Sequence, residues 1–237
     1  MAMNMGRKQS SNNYRYERKY IVPSHWSNEV LLTIKKEMEC TDLYEQRQVN
    51  SIYFDTDDLK FAQQNISGDS TRVKLRLRYY GNIDNFYNPH FEEKIKRGNT
   101  GTKNIYEVDN CPSDLLIQSL DINKKRSNLP CDIQNLLMNL KPIILITYFR
   151  QYLVTKDKKF RLTYDNNIRC IPLTFNNIPF SFANKKFFQY QYHLLEVKYG
   201  ISEDKELSNL MKRFPLRVSK SSKYIAGLNL IRKIDLI

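Results

Sequence analysis

Acidic residues are scarce: 25 Asp and Glu stand against 38 Lys and Arg, giving a formal charge of +13 over 237 residues. The imbalance implies an anionic partner: nucleic acid, anionic lipid, or a phosphorylated small molecule or polymer. Cysteine and histidine are also few. Cys40, Cys111, Cys131 and Cys170 are scattered without a CxxC pair, and His25, His90 and His193 stand apart. That excludes the ligand spacing of a zinc site. The thiols fit a reduced, cytoplasmic protein, and the histidines fit surface or packing positions. No apolar run approaches the ~18 residues of a membrane span, and the N-terminal residues lack the apolar core of a signal peptide. Met1 to Asn13 is polar and reads as a disordered leader. Neither a solenoid repeat nor a low-complexity linker follows, so residues 14–237 read as one domain with ample length for a core.

What is present is alternation. In Thr71 to Tyr79, Arg72, Lys74, Arg76 and Arg78 fall on one register, and Val73, Leu75 and Leu77 on the other. A period of two is a β-strand with a cationic face and an aliphatic face. Like charges on one face repel, so that face needs water, carboxylates or a polyanion. The pattern recurs. Arg15, Glu17 and Lys19 alternate before Pro23; Glu92, Lys94 and Lys96 share a register; so do Tyr148, Arg150 and Tyr152, then Arg161, Thr163 and Asp165, then Leu194, Glu196 and Lys198.

Between these strands the chain predicts helices. One follows Pro23, capped by Ser24 or Ser27, with Trp26, Val30, Leu31, Ile34 and Met38 on its packed stripe. Pro112 to Leu140 reads as a helical insertion in two pieces, split at Pro130. Glu203 to Phe214 is amphipathic, and a helical tail follows Tyr224. Val49 to Phe54 reads as a strand, Leu59 to Asn65 as a short strand or helix, and Ile168 to Leu173 as a strand after an Asn166-Asn167 turn. Asp55 shapes the turn after its strand. About eight strands result, too close together for βαβ crossovers, so the sheet is antiparallel.

Helices on the outside cover the apolar registers. A sheet that closes on itself places the charged register inside. The expected fold is therefore α+β, a closed eight-stranded antiparallel β tunnel with helices packed outside. A cationic tunnel needs a polyanion, and its few carboxylates could hold a divalent metal through oxygen. This physically describes a triphosphate site.

The order R-x-E-x-K (Arg15, Glu17, Lys19), S-I-Y-F-D-T (Ser51 to Thr56), K-L-R-L-R-Y-Y-G (Lys74 to Gly81), F-E-E-K (Phe91 to Lys94), Y-F-R (Tyr148 to Arg150), R-L-T-Y-D (Arg161 to Asp165), L-E-V-K-Y (Leu195 to Tyr199) and K-S-S-K-Y (Lys220 to Tyr224) resembles the VTC domain. That is the catalytic domain of polyphosphate polymerases, within the triphosphate tunnel metalloenzyme superfamily. The resemblance implies transfer of the ATP γ-phosphate to a growing inorganic polyphosphate chain, with Mn²⁺ or Mg²⁺. It implies catalytic phosphate-holding roles for Lys19, Arg76, Arg78, Lys94, Arg150, Arg161 and Lys223. Substrate contacts fall to Arg15, Lys74, Lys96, Lys103, Tyr148, Lys198, Lys220 and Ser222. Glu196 matches the metal carboxylate, with Glu17 and Glu92 as auxiliary ligands. Hydrolytic relatives begin E-x-E-x-K, and Arg15 in place of the first Glu favours a polymerase. The rival readings are a tunnel triphosphatase and a non-catalytic polyphosphate-binding module. Nucleic acid fits less well, because the tyrosines pack by register instead of interleaving as exposed stacking platforms.

Overall fold

The computed structural model describes residues 16–98, 100–108, 131–173, 182 and 185–232. The expected leader, Arg15, and the first half of the helical insertion lie outside the described residues. In chain order the elements are β1 (Tyr16–Pro23), α1 (Ser27–Glu37), β2 (Cys40–Asp55), α2 (Lys60–Ser67), β3 (Thr71–Tyr80), β4 (Tyr87–Arg97) and β5 (Thr100–Glu107). There follow α3 (Cys131–Leu137), β6 (Lys141–Thr155), β7 (Arg161–Pro172), β8 (Phe188–Gln189), β9 (Tyr192–Tyr199), α4 (Asp204–Met211) and α5 (Lys223–Arg232). Among the described residues no helix is long and apolar enough to cross a membrane.

All nine strands join one antiparallel sheet, in the order β1-β9-β7-β6-β2-β3-β4-β5, with the two-residue β8 added beside β7. The sheet has one strand more than expected, and it is not closed by hydrogen bonds. Its edge strands, β1 and β5, do not pair with each other among the described residues. The outer edge of β1 is taken up instead by the chain before α5. Tyr20 forms a bridge with Val218, and Ser219 N–H donates to the Lys19 carbonyl at 2.7 Å.

The apolar registers do pack outward under helices. Leu75, Leu77 and Tyr79 of β3 meet Ile133 and Leu137 of α3. Val30 and Ile34 of α1 and Leu207 and Met211 of α4 cover Leu162, Leu195 and Val197. Ala62 of α2 and Tyr224 and Leu228 of α5 pack instead on the inner face, against Tyr53, Ile144 and Ile146, which share their registers with the charged residues. Helix α5 comes so close that a Cβ on Gly227 would lie 2.7 Å from Ile144 Cδ1, which only glycine avoids without a shift.

Several local expectations change. Trp26 is 44% exposed, off the packed stripe of α1. No serine side chain caps that helix or the short 3₁₀ turn Ser24–Trp26 before it. Strand β2 begins at Cys40, nine residues before Val49, because its polar first half hydrogen-bonds to β6 while staying exposed. Strand β7 runs straight through Asn166-Asn167. A register irregularity opposite Thr147 and Phe149, with Asn167 at φ 47°, absorbs what would have been a turn. Leu59 to Asn65 resolves as helix α2. Asp55 shapes its start as expected, accepting from the N–H groups of Thr56, Phe61 and Ala62 at 2.8, 2.8 and 2.9 Å.

Candidate active site

The charged registers converge on one cavity of about 290 Å³. Glu17 and Lys19 of β1 and Lys103 of β5 both line it, so the two edges of the sheet curl round the same space. Lys74, Arg76 and Arg78 project from β3, Glu92 and Lys94 from β4, Tyr148 and Arg150 from β6, and Glu196 and Lys198 from β9. Ser222 and Lys223 enter from the start of α5. Strand alternation puts them there, because each wall residue sits two positions from the next while its neighbours pack outward. Nine cations (Lys19, Lys74, Arg76, Arg78, Lys94, Lys103, Arg150, Lys198 and Lys223) face three carboxylates: Glu17, Glu92 and Glu196.

Two buried carboxylates hold most of the guanidinium groups in place. Glu92, 4% exposed, is the first. Arg76 Nε and Nη2 donate to its Oε2 at 2.9 and 2.5 Å; Arg78 Nη1 and Lys103 Nζ donate to Oε1 at 3.3 and 2.9 Å. His90 Nε2 adds a third contact on Oε1 at 3.2 Å. Burial pushes the Glu92 carboxyl up, but Arg76, His90, Arg78 and Lys103 outweigh it and hold it far below the usual range. With both oxygens occupied by donors, Glu92 has no lone pair left for a metal. In this arrangement Glu92, expected as an auxiliary metal ligand, anchors the cations around it.

Asp165 is the second anchor, fully buried. Arg150 grips it with both arms, Nε to Oδ1 at 2.6 Å and Nη2 to Oδ2 at 2.7 Å, and Lys223 Nζ donates to Oδ2 at 2.6 Å. Burial raises its carboxyl, and Arg150 and Lys223 pull it below the ordinary aspartate value. Its place in the register was visible in sequence, but its role was not, because the partners come from β6 and α5.

Glu17 and Glu196 differ from these anchors. They lie on adjacent strands, where Glu17 pairs in register with Lys198, and Lys19 with Glu196. Their cation contacts are looser: Lys19 to Glu17 at 3.1 Å, Lys198 to Glu196 at 3.3 Å and Lys198 to Glu17 at 3.8 Å. Burial raises the Glu196 carboxyl, while Lys19, Lys198, Arg150 and Lys223 bring it below the usual range. Burial lowers the Lys19 ammonium, while Glu196 and Glu17 raise it above the ordinary lysine value. Among the described residues no group of three His, Cys, Asp or Glu could hold a metal ion unaided. Two carboxylates facing a cation-lined cavity nonetheless match the way Mg²⁺ is commonly bound, by one or two carboxylates with substrate phosphates and water.

The neutral donors are tuned by the same cations. Burial raises the Tyr148 phenol, but Arg150, Arg78 and Lys223 lower it below its ordinary value; Tyr53 is lowered likewise against burial, chiefly by Arg76. Tyr53 was missed in sequence because it sits in the apolar run Ile52-Tyr53-Phe54. Its shared parity with Ser51 and Asp55 was the available signal. Ser221, also in the lining, was passed over beside Ser222. Three expected residues do not line the cavity: Arg161 and Lys220 are exposed, and Lys96 is half-buried opposite Arg72.

Lys74 has no ion pair among the described residues and donates to Ser222 Oγ at 3.1 Å. Burial lowers its pKa from 10.5 to about 8, and Lys19, Lys94 and Arg76 add to the fall against a raising effect of Tyr53. A bound polyphosphate would restore the charge. Tripolyphosphate binding should therefore take up a proton between pH about 8 and 10.5, and affinity should fall as pH rises through that window. The buffer dependence of the calorimetric binding enthalpy measures this uptake. Lys74→Arg, which does not titrate, should remove most of it; unchanged uptake would assign the proton elsewhere.

Comparison with known proteins agrees with this architecture. The VTC domain family matches residues 14–232, and the chain belongs to that family. Among solved structures, a candidate adenylate cyclase from Bacillus halodurans aligns with TM-score 0.52 at 16% identity, covering 87% of this chain and 92% of its own. A protein of Pyrococcus horikoshii aligns with TM-score 0.51 at 11% identity, covering 92% and 99%. The Hippeastrum protein HpAC1, described as having a dominant triphosphatase activity, aligns with TM-score 0.51 at 10% identity, covering 91% and 96%. At these identities the likeness is one of fold. No curated protein sequence matches the chain.

Proposed function

We propose that this VTC-domain protein is a metal-dependent polyphosphate polymerase, which transfers the γ-phosphate of ATP to a growing inorganic polyphosphate chain within the basic cavity. The observation that carries the reading is the charge on the wall: nine cations converge and three carboxylates oppose them, so a polyanion is the ligand that balances the site. Family membership supports it. On this reading the curled sheet acts as a tunnel, and a growing polymer has a route through it.

Arg76, Arg78 and Arg150 clamp phosphate oxygens with forks already oriented by Glu92 and Asp165. Lys19, Lys94, Lys103 and Lys223 neutralise charge around them. Tyr148, Tyr53 and Ser222 donate hydrogen bonds. No nucleophilic side chain is required, because the attacking atom is a phosphate oxygen of the acceptor. Glu17 and Glu196 are the residues that would hold Mn²⁺ or Mg²⁺. The ion, when bound, neutralises charge on the transferring phosphoryl group. The protein groups supply position and electrostatic stabilisation.

Incubation with ATP and Mn²⁺ should yield long, acid-labile phosphate polymer resolved on a gel, together with ADP. ADP with free phosphate alone would sink the polymerase in favour of hydrolysis. Hydrolysis is the second reading, and the triphosphatase activity described for HpAC1 on the same fold is what favours it. Retention of full activity by Glu196→Ala would remove the metal assignment.

A further inference from the structure

One end of the cavity is built differently from the rest. Cations and tyrosine rings alternate outward from it. Lys223 Nζ lies 4.6 Å from the Tyr148 ring centre, and the Arg150 guanidinium sits between Tyr148 at 5.3 Å and Tyr152 at 5.9 Å. Beyond Tyr152, Arg47 packs over three rings: Tyr152 at 5.2 Å, Tyr44 at 5.5 Å and Tyr80 at 5.7 Å. Tyr148 and Arg150 line the cavity, so the ladder runs from the phosphate site to the surface. Register irregularities in β2 on both sides of Tyr44 re-aim its side chain, and that ring stays 54% exposed. Arg47 forms no ion pair among the described residues, unlike Arg76, Arg78 and Arg150 inside.

We propose that Tyr44, Arg47, Tyr80 and Tyr152 form the platform on which the base of a nucleoside triphosphate stacks while its phosphates lie in the cavity. A ring face is the negative side of its quadrupole and repels a phosphate, but every base has a face that stacks on tyrosine or guanidinium. A passage for bare polyphosphate would be lined with free cations, as Lys74 and Lys94 line the interior. Spacing agrees: Tyr152 and Tyr80 stand two residues beyond Arg150 and Arg78, or ~7 Å along a strand, about the reach of a ribose. No carboxylate or amide faces the base edges from these four residues, so the platform selects a nucleotide over bare phosphate but not one base over another.

The inference rests on the preceding reading only in placing a triphosphate in the cavity. It is tested by binding, not by polymer formation. A non-hydrolysable ATP analogue and inorganic tripolyphosphate are titrated into wild type, Tyr44→Ala and Arg47→Lys. The lysine keeps the charge and removes the planar face, and both positions are exposed, so the fold should survive. Each variant should weaken the ATP analogue about tenfold while tripolyphosphate changes by less than about twofold, and a GTP analogue should bind wild type within about threefold of the ATP analogue. An equal loss for both ligands would make the cluster a phosphate contact. No loss for either would make it a structural staple between β2 and β6. Either result overturns the proposal. Base-dependent binding without polymer would leave it standing and sink the polymerase alone.

Discussion

Replacing Arg76 with alanine should slow phosphoryl transfer by about a thousandfold. The guanidinium is fixed at three points: two bonds to Glu92 and a third from Nη1 to the Tyr53 hydroxyl at 3.0 Å. On the proposed function it would meet a phosphate without reorganising, and such pre-orientation stabilises charge in a transition state. Burial acts to lower its pKa, but Tyr53 and Glu92 raise it, so the charge is permanent. Arg76→Lys keeps a charge but loses the fork, and should recover part of the loss. Steady-state polymer synthesis from ATP measures both variants, with thermal melting as the check on folding. A fall below about tenfold, or one confined to KM, would reduce Arg76 to a ground-state contact.

Asp165→Asn should be the most destabilising single change at the site, by about 3–5 kcal/mol, which lowers the melting temperature by on the order of 10 °C. Asp165 is fully buried and is gripped by Arg150 and Lys223. The amide leaves two buried cations without their counter-charge. Tripolyphosphate should narrow the gap between variant and wild type, because it returns negative charge to the same two groups. The double change Asp165→Leu with Arg150→Met should melt above Asp165→Asn. A single variant within about 2 °C of wild type would show that water or other groups already balance the pair.

The cationic lining was legible in the sequence because alternation is local. Lys74, Arg76 and Arg78 declare their shared face within five residues, and all three line the cavity. The anchors were not legible. Glu92 and Asp165 look like their neighbours Glu93 and Asp157, and what sets them apart is which strand lies alongside. The register that places Arg150 opposite Asp165 is a property of the assembled sheet. The polar first half of β2 escaped for a related reason: its hydrogen bonds to β6 need no apolar stripe, so no period marks it. Arg161 shows the opposite failure. Its parity matches Thr163 and Asp165, but it begins β7, opposite Lys198, and its side chain is left exposed.

The pairing of β1 with β9 sets an order in time. Tyr16 is paired alongside Tyr199, and among the strands of the sheet β9 is the neighbour of β1. At ~5–20 residues per second of synthesis, the first strand waits roughly ten seconds or longer for its partner. Until β9 and the Val218–Ser219 segment cover it, the charges of Arg18 and Lys19 on β1 discourage other chains from adding to it. Contacts this distant in sequence also make for slow folding. Glu17 and Lys19 on β1, Glu196 on β9, and Lys223 after them meet only at the end. A nascent chain thus carries the charges of the cavity long before it has the cavity, which is complete only when the first strand docks.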